Sequence, residues 1–192
     1  GNGAFLADGK GTSLYSKYIN KDVVYQIMEF LDQVQPNSYI LHDGYNIARK
    51  VYSEDFKIGQ SQKTHNLEDI LENDVGGFFI NVGSIEKASE MVNKMRYLFP
   101  KVTIHQNLSY VDVSALGIDK AIGMRMISDL FQSDDIWVIG DADNDMSMIS
   151  SYNSFVVSWA DDKIKKEADF IVDSVNEAIK VVDAYGTKSI DG

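Results

Sequence analysis

No cysteine occurs among the 192 residues. Disulfides, thiolate metal sites and cysteine nucleophiles are therefore excluded. Histidine is nearly as scarce. His42, His65 and His105 are scattered, and none has the spacing of a metal-ligand pair. Each reads as a surface or strand residue. Proline occurs only at positions 36 and 100, and no low-complexity tract, repeat or linker interrupts the chain. No apolar run is long enough to span a bilayer and no signal peptide is visible, so a cytoplasmic location is expected. Basic residues are outnumbered, 18 against 29 acidic, for a net charge of −11. So acidic a surface disfavours nucleic acid and anionic membranes as partners, yet leaves room for a local positive pocket that binds phosphate. The chain begins Gly-Asn-Gly rather than with Met, and the expectation is a piece of a longer protein.

What is present has two characters. The first part reads as mixed α+β. Short strands at Phe5–Ala7 and Ser13–Tyr18 flank the turn signal Asp8-Gly9-Lys10-Gly11. Asn20 caps an amphipathic helix from Lys21 to about Val34, with Val23, Val24, Ile27, Met28, Phe30 and Leu31 inward. A strand pair brackets His42-Asp43-Gly44, and a strand, a helix and two more strands follow up to Val113. From Lys120 onward strands and helices alternate, which predicts a parallel α/β sheet with helix-covered faces. Met91, Met95 and Phe99, like Met124 and Met126, fit helix core faces. The expected domains are residues 1–113 and 114–192.

The segment Ile136–Ile149, IWVIGDADNDMSMI, carries the chemistry. An apolar strand ends in Gly140, and Asp141, Asp143, Asn144 and Asp145 crowd the turn before a helix. In an open α/β sheet ligands bind beyond the carboxyl ends of strands. Carboxylates gathered there repel one another unless a cation neutralises them, and oxygen donors suit Mg²⁺, which takes one or two carboxylates and leaves room for phosphate oxygens. A capped turn is the bland alternative, since Asp and Asn favour turns and helix N-termini. A calcium loop of EF-hand type fails, with Met146 where Gly is needed and Tyr152 where a bidentate Glu belongs.

Gly140-Asp141-Ala142-Asp143-Asn144-Asp145 resembles the fourth motif of haloacid-dehalogenase (HAD) superfamily phosphatases, closest to the Cof-type branch. Upstream, Gly117–Ile127 resembles that branch's third motif, in which a Lys, here Lys120, starts a helix. Downstream, FVVSWADDKIKKEADFIVDS resembles the closing strand, helix and strand, with Ser158-Trp159-Ala160 where the branch usually has Gly-Asn-Ala. Asn2-Gly3-Ala4 resembles the entry to a C2-type cap, so the resemblance spans nearly the whole chain. It implies an α/β fold: a partial Rossmann-like core containing only the C-terminal strands of its parallel sheet, plus an α+β cap that selects substrate. It implies a Mg²⁺-dependent phosphomonoester hydrolase acting on a small phosphorylated metabolite such as a sugar phosphate. In that scheme Asp141 is a direct Mg²⁺ ligand and Asp145 serves the metal directly, through water, or by holding Lys120. Lys120 offsets charge on the phosphoryl oxygens, Asn144 orients the phosphate, and Asp143 faces solvent.

The first motif of the superfamily, an apolar strand followed by Asp-x-Asp-Gly-Thr, has a look-alike in FLADGKGTSLYS. Lys10 stands where the second Asp belongs, and a lysine cannot give and retrieve a proton near neutral pH without a large pKa depression. Asp8 is therefore read as a hairpin turn residue, and the nucleophile motif as absent from this chain. The chain by itself is expected to be inactive, and a non-catalytic binding or regulatory remnant of the same fold is the second reading. A cation-pump phosphorylation domain is a distant third. His42, Asp43, Tyr45 and Arg49 either contact the substrate's leaving group or form a solvated hairpin. An incomplete strand set leaves a sheet edge exposed, so marginal stability or a homodimer through that edge is expected.

Overall fold

In a computed structural model, residues 3–53 and 65–188 are described, with side chains through Tyr185. Asn2 of the Asn2-Gly3-Ala4 stretch lies outside them. The chain divides into two compact units, Gly1–Asp119 and Lys120–Gly192. The division falls a few residues beyond the expected 113/114 boundary. The last strand of the first unit runs on to Ala115, and Ile118 N–H turns back onto the Ala115 carbonyl at 3.2 Å.

The first unit opens with the antiparallel hairpin β1 (Phe5–Ala7) and β2 (Ser13–Ser16). Helix α1 (Lys21–Val34) follows, its N-terminus closed by Asn20, whose side chain accepts the Asp22 N–H at 2.9 Å. Then come β3 (Ser38–His42), β4 (Ile47–Val51), α2 (Leu67–Glu72), β5 (Gly77–Asn81), α3 (Ile85–Leu98), β6 (Val102–Asn107) and β7 (Tyr110–Ala115). The strands form one antiparallel sheet in the order β4-β3-β5-β7-β6. Alternation puts Tyr39, Leu41, Phe78, Ile80, Val111, Val113 and Ile104 on one face, and all are buried. The apolar stripes of α1 and α3 complete that core. Phe30 meets Phe99 edge-on at 5.6 Å, and Lys50 on β4 reaches Asp32 on α1 at 2.5 Å. Val23, Val24, Ile27, Phe30 and Leu31 are buried as the helical period requires; Met28 is half-buried.

The second unit contains α4 (Lys120–Phe131), β8 (Trp137–Gly140), a 3-10 turn at Asp143–Asp145, α5 (Met146–Ile149), β9 (Asn153–Val157), α6 (Asp162–Lys165), β10 (Phe170–Val172) and α7 (Val175–Lys188). Its three strands are parallel, in the order β10-β9-β8, as the alternation of strand and helix predicts. Phe155, Val172 and Ala178 pack together on one face with Trp137, Val181 and Val182. On the other, Ile149, Val156, Val157, Ala160 and Ile164 form a second cluster. β8 pairs with β9 and, among the described residues, has no strand on its other side. Helix α4 has no buried residue, and Leu130 and Phe131 are exposed. Met124 and Met126 are half-buried, and Met124 packs against the buried cluster of Ile136, Val138 and Met148 as expected of a core-facing residue. Among the described residues no helix is long and apolar enough to cross a membrane.

Candidate active site

The site is built at the carboxyl end of β8. Val138 is buried and Gly140 closes the strand. Gly140 is needed there for space: a Cβ on it would stand 2.6 Å from the Asp145 Cβ and 2.9 Å from its Cγ. That room admits the Asp145 carboxylate, which is 3% exposed. A charge so buried must be compensated. Its Oδ2 accepts the N–H of Asp141 at 3.0 Å and of Ala142 at 3.2 Å, and its Oδ1 accepts from Lys120 Nζ. One side chain thereby folds the loop back on itself and holds the ammonium at the start of α4. The α4 start is fixed further by Ala121. Its N–H donates to Ser147 Oγ at 3.3 Å, and its carbonyl accepts from the Tyr152 hydroxyl at 3.2 Å.

The other loop residues differ in how their atoms are used. Among the described residues, no hydrogen bond or ion pair engages the carboxylate of Asp141, which is exposed at the strand end. Asn144 is half-buried, likewise with no side-chain partner among them. Asp143 is exposed and pairs with Lys163 of α6 at 2.8 Å. That hydrogen bond raises the lysine's pKa. The loop therefore presents one uncommitted carboxylate beside a carboxylate already balanced by a lysine. Among the described residues no group of three or more His, Cys, Asp or Glu could hold a metal unaided. This donor set fits Mg²⁺ as a partial shell, one carboxylate oxygen with the rest left to water and phosphate.

A sequence model of haloacid dehalogenase-like hydrolases matches residues 1–182. The chain belongs to that family. An uncharacterised protein of Mycoplasma capricolum subsp. capricolum is 24% identical over 200 residues, 91% of this chain and 72% of that protein. Among solved structures, a HAD/COF-like hydrolase from Plasmodium vivax superposes with a TM-score of 0.74 at 24% identity over 90% of this chain. The HAD subclass IIB sugar phosphatase BT4131 gives 0.75 at 20% identity over 94%. The HAD-superfamily phosphatase BT1666 from Bacteroides thetaiotaomicron gives 0.76 at 18% over 96%. At such identities the likeness establishes the fold, an α/β fold of the HAD-like kind. The chain spans 65% of the Plasmodium vivax chain and 73% and 72% of the two phosphatases.

Asp8 lies in the first unit, at the tip of the β1–β2 hairpin. Its Oδ1 accepts the N–H of Lys10 at 2.9 Å and of Thr12 at 2.8 Å, bonds that hold its pKa below the usual carboxylate range. Its backbone N–H donates to the Thr12 carbonyl at 3.0 Å, and Gly11 takes a φ of +84° that suits glycine. These are turn contacts made by one carboxylate oxygen, and they hold Asp8 at the hairpin tip.

His42, Asp43, Tyr45 and Arg49 also belong to the first unit. The solvated hairpin expected there is instead largely enclosed. His42 is buried, stacked on Phe79 with centroids 5.1 Å apart. Its ring lies so close to Gly76 and Gly77 that a Cβ on either would meet it at 2.9 Å. Burial pushes its pKa down to about 4. Asp43 is buried as well. Its Oδ1 accepts the N–H of Tyr45 and Asn46, and its Oδ2 the side-chain amides of Asn46 and Asn73. Burial opposes its ionisation, but those bonds prevail and lower its pKa. Tyr45 is exposed and meets Phe5 edge-on at 4.8 Å. Arg49 is half-buried on β4, with Nε enclosed and without a hydrogen-bond partner among the described residues. Of the four, Tyr45 is exposed and Arg49 half-buried, while His42 and Asp43 are buried.

Sequence reasoning passed over Gly140 as a spacer, Ser147 as a tie and Lys163 as a clamp. For Gly140 a signal existed, a glycine five residues before an Asp at the end of an apolar strand. Ser147 and Lys163 carry none, because their partners are set by the fold.

Proposed function

We propose that this chain supplies the charge-managing half of a Mg²⁺-dependent phosphomonoester hydrolase acting on small phosphate esters such as sugar phosphates. One observation carries the reading: the uncommitted Asp141 carboxylate stands at the carboxyl end of β8, beside an Asp145 whose buried charge is matched by Lys120. Asp141 would hold the cation directly, and Asp145, with both oxygens taken, would act through Lys120 or water. Mg²⁺, when bound, screens the repulsion between an anionic phosphate and an attacking carboxylate. Lys120 stands ready to balance charge on the phosphoryl oxygens, and Asn144 has an amide free to orient them. The attacking carboxylate comes from outside these residues, since no Asp-x-Asp-Gly-Thr occurs among the 192 and Asp8 is bound up in its turn. In the complete reaction that carboxylate forms a bond to phosphorus as the ester oxygen leaves, and water then cleaves the acyl phosphate. The reading sets this chemistry in the cytoplasm.

The same two facts, a committed Asp8 and no Asp-x-Asp-Gly-Thr, also favour a second reading, a non-catalytic phosphate-binding protein. Hydrolysis of p-nitrophenyl phosphate with Mg²⁺, measured for the 192-residue chain, for its Asp8→Asn variant and for full-length protein from the source, separates them. The hydrolase reading expects no turnover by the chain alone, and turnover by the longer protein that is lost with Asp141→Asn. Activity of the chain alone that Asp8→Asn abolishes would make Asp8 the nucleophile and overturn the assignment.

A further inference from the structure

At the same end of the sheet stands a large side chain that this chemistry leaves unused. Trp159 follows β9 in the turn Ser158-Trp159-Ala160 and is 68% exposed. A single exposed apolar side chain is ordinary and by itself carries no message. Its placement does. Gly140 pairs with Val156 in parallel register, so the loop of Asp141 and the turn of Trp159 leave the same sheet edge from neighbouring strands, which lie about 4.8 Å apart.

The turn is also tied to its neighbours through its backbone. Ser158 N–H donates to the Val172 carbonyl at 2.9 Å and Ala160 N–H to the Val157 carbonyl at 3.0 Å. Ala160 and Ile164 are buried with Val156 and Val157. Lys163, on the helix that follows, is clamped to Asp143 of the phosphate loop. Trp159 is therefore an indole presented on a fixed support. A rigid aromatic with only two rotatable bonds offers wide contact area at small entropic cost.

The polar groups nearby in the chain point to the kind of contact. Asp141 and Asp143 lie on one loop, and Asp161 and Asp162 follow Trp159. Carboxylates accept hydrogen bonds from hydroxyls and repel a second anionic group. We propose that Trp159 is a specificity-determining platform, on which the ring of a polyhydroxylated leaving group stacks while its phosphate sits at Asp141. The inference rests on the phosphatase reading above.

The test is calorimetric titration of the 192-residue chain, with Mg²⁺, against glucose 6-phosphate, glycerol 3-phosphate and inorganic phosphate. The platform predicts that glucose 6-phosphate binds about tenfold more tightly than glycerol 3-phosphate, the size of one good ring contact. Trp159→Ala closes that gap, Trp159→Phe keeps most of it, and Phe131→Lys on α4 leaves it in place. Emission from Trp137, packed against Phe155 and Phe170, reports that each variant is folded. A gap that is absent, or that survives Trp159→Ala while the phosphates still bind, overturns the platform and spares the phosphatase reading. Failure of all three phosphates to bind overturns both.

Discussion

The two units use their polar residues in opposite ways. In the first, helix and sheet close over a continuous core, and the polar residues nearest a turn are absorbed by it. Asp8 gives one oxygen to two backbone N–H groups, Asp43 gives both of its own to two N–H groups and two amides, and His42 is sealed against Phe79. In the second, among the described residues, α4 buries no residue, β8 has one bare edge, and the Asp141 carboxylate has no partner. An Asp in a turn therefore says little until its oxygens are accounted for. Where they are satisfied the residue is architecture, and where one is left open beside a balanced charge it is available for chemistry.

Both tryptophans lie in the second unit and all three histidines in the first. Tryptophan emission thus follows the second unit, and far-ultraviolet circular dichroism follows both. The sharpest contrast comes from Asp145→Ala. It strands the Lys120 ammonium and two backbone N–H groups, at a cost of about 3 kcal/mol or more. Urea unfolding followed by tryptophan emission should shift by that amount, while the dichroism change belonging to the first unit stays in place.

Acid should act on the first unit by a nearly equal amount. The folded-state pKa of His42 is depressed, so as pH falls the unfolded chain takes up the proton first. The stability contribution is complete above about 6.5 and is lost between there and about 4. The loss approaches about 3 kcal/mol. Urea midpoints recorded by dichroism between those pH values should slope down, and His42→Gln should flatten the slope. The upper half of that window lies above the carboxylate range and should leave tryptophan emission unmoved. Gly140→Ala comes next, at about 1–3 kcal/mol, because the new methyl group occupies the space of the Asp145 carboxylate. It should lower the emission-detected midpoint alone. Phe131→Lys is the smallest, within about 0.5 kcal/mol, since the side chain is already 72% exposed. A large loss there would show that α4 is covered and erase part of the contrast.

Local signals made much of this legible in advance. The limits of α4 follow from Lys120 and its apolar period, the hairpin at Asp8 from Asp-Gly-Lys-Gly, and the parallel sheet from alternating strands and helices. Burial of His42 was not legible, because it depends on Gly76 and Gly77 where a strand begins far along the chain. The sequence places Asp145 in the acidic loop, yet only the fold shows both its oxygens committed to Lys120 and to two N–H groups. Helix α4 does meet the core through Met124, and the exposure of Leu130 and Phe131 at its end depends on what does not pack against it.

The account turns on Asp141 and its neighbours forming a phosphate site that works through Mg²⁺. Calorimetric titration of inorganic phosphate into the chain, with and without Mg²⁺, in the native sequence and in Asp141→Asn, measures that most directly. The exposed Asp141 can be exchanged without disturbing the core, so folding does not confound the result. The account predicts phosphate binding that requires Mg²⁺ and disappears in Asp141→Asn. Binding that ignores both the metal and the substitution, or no binding at all, would contradict it.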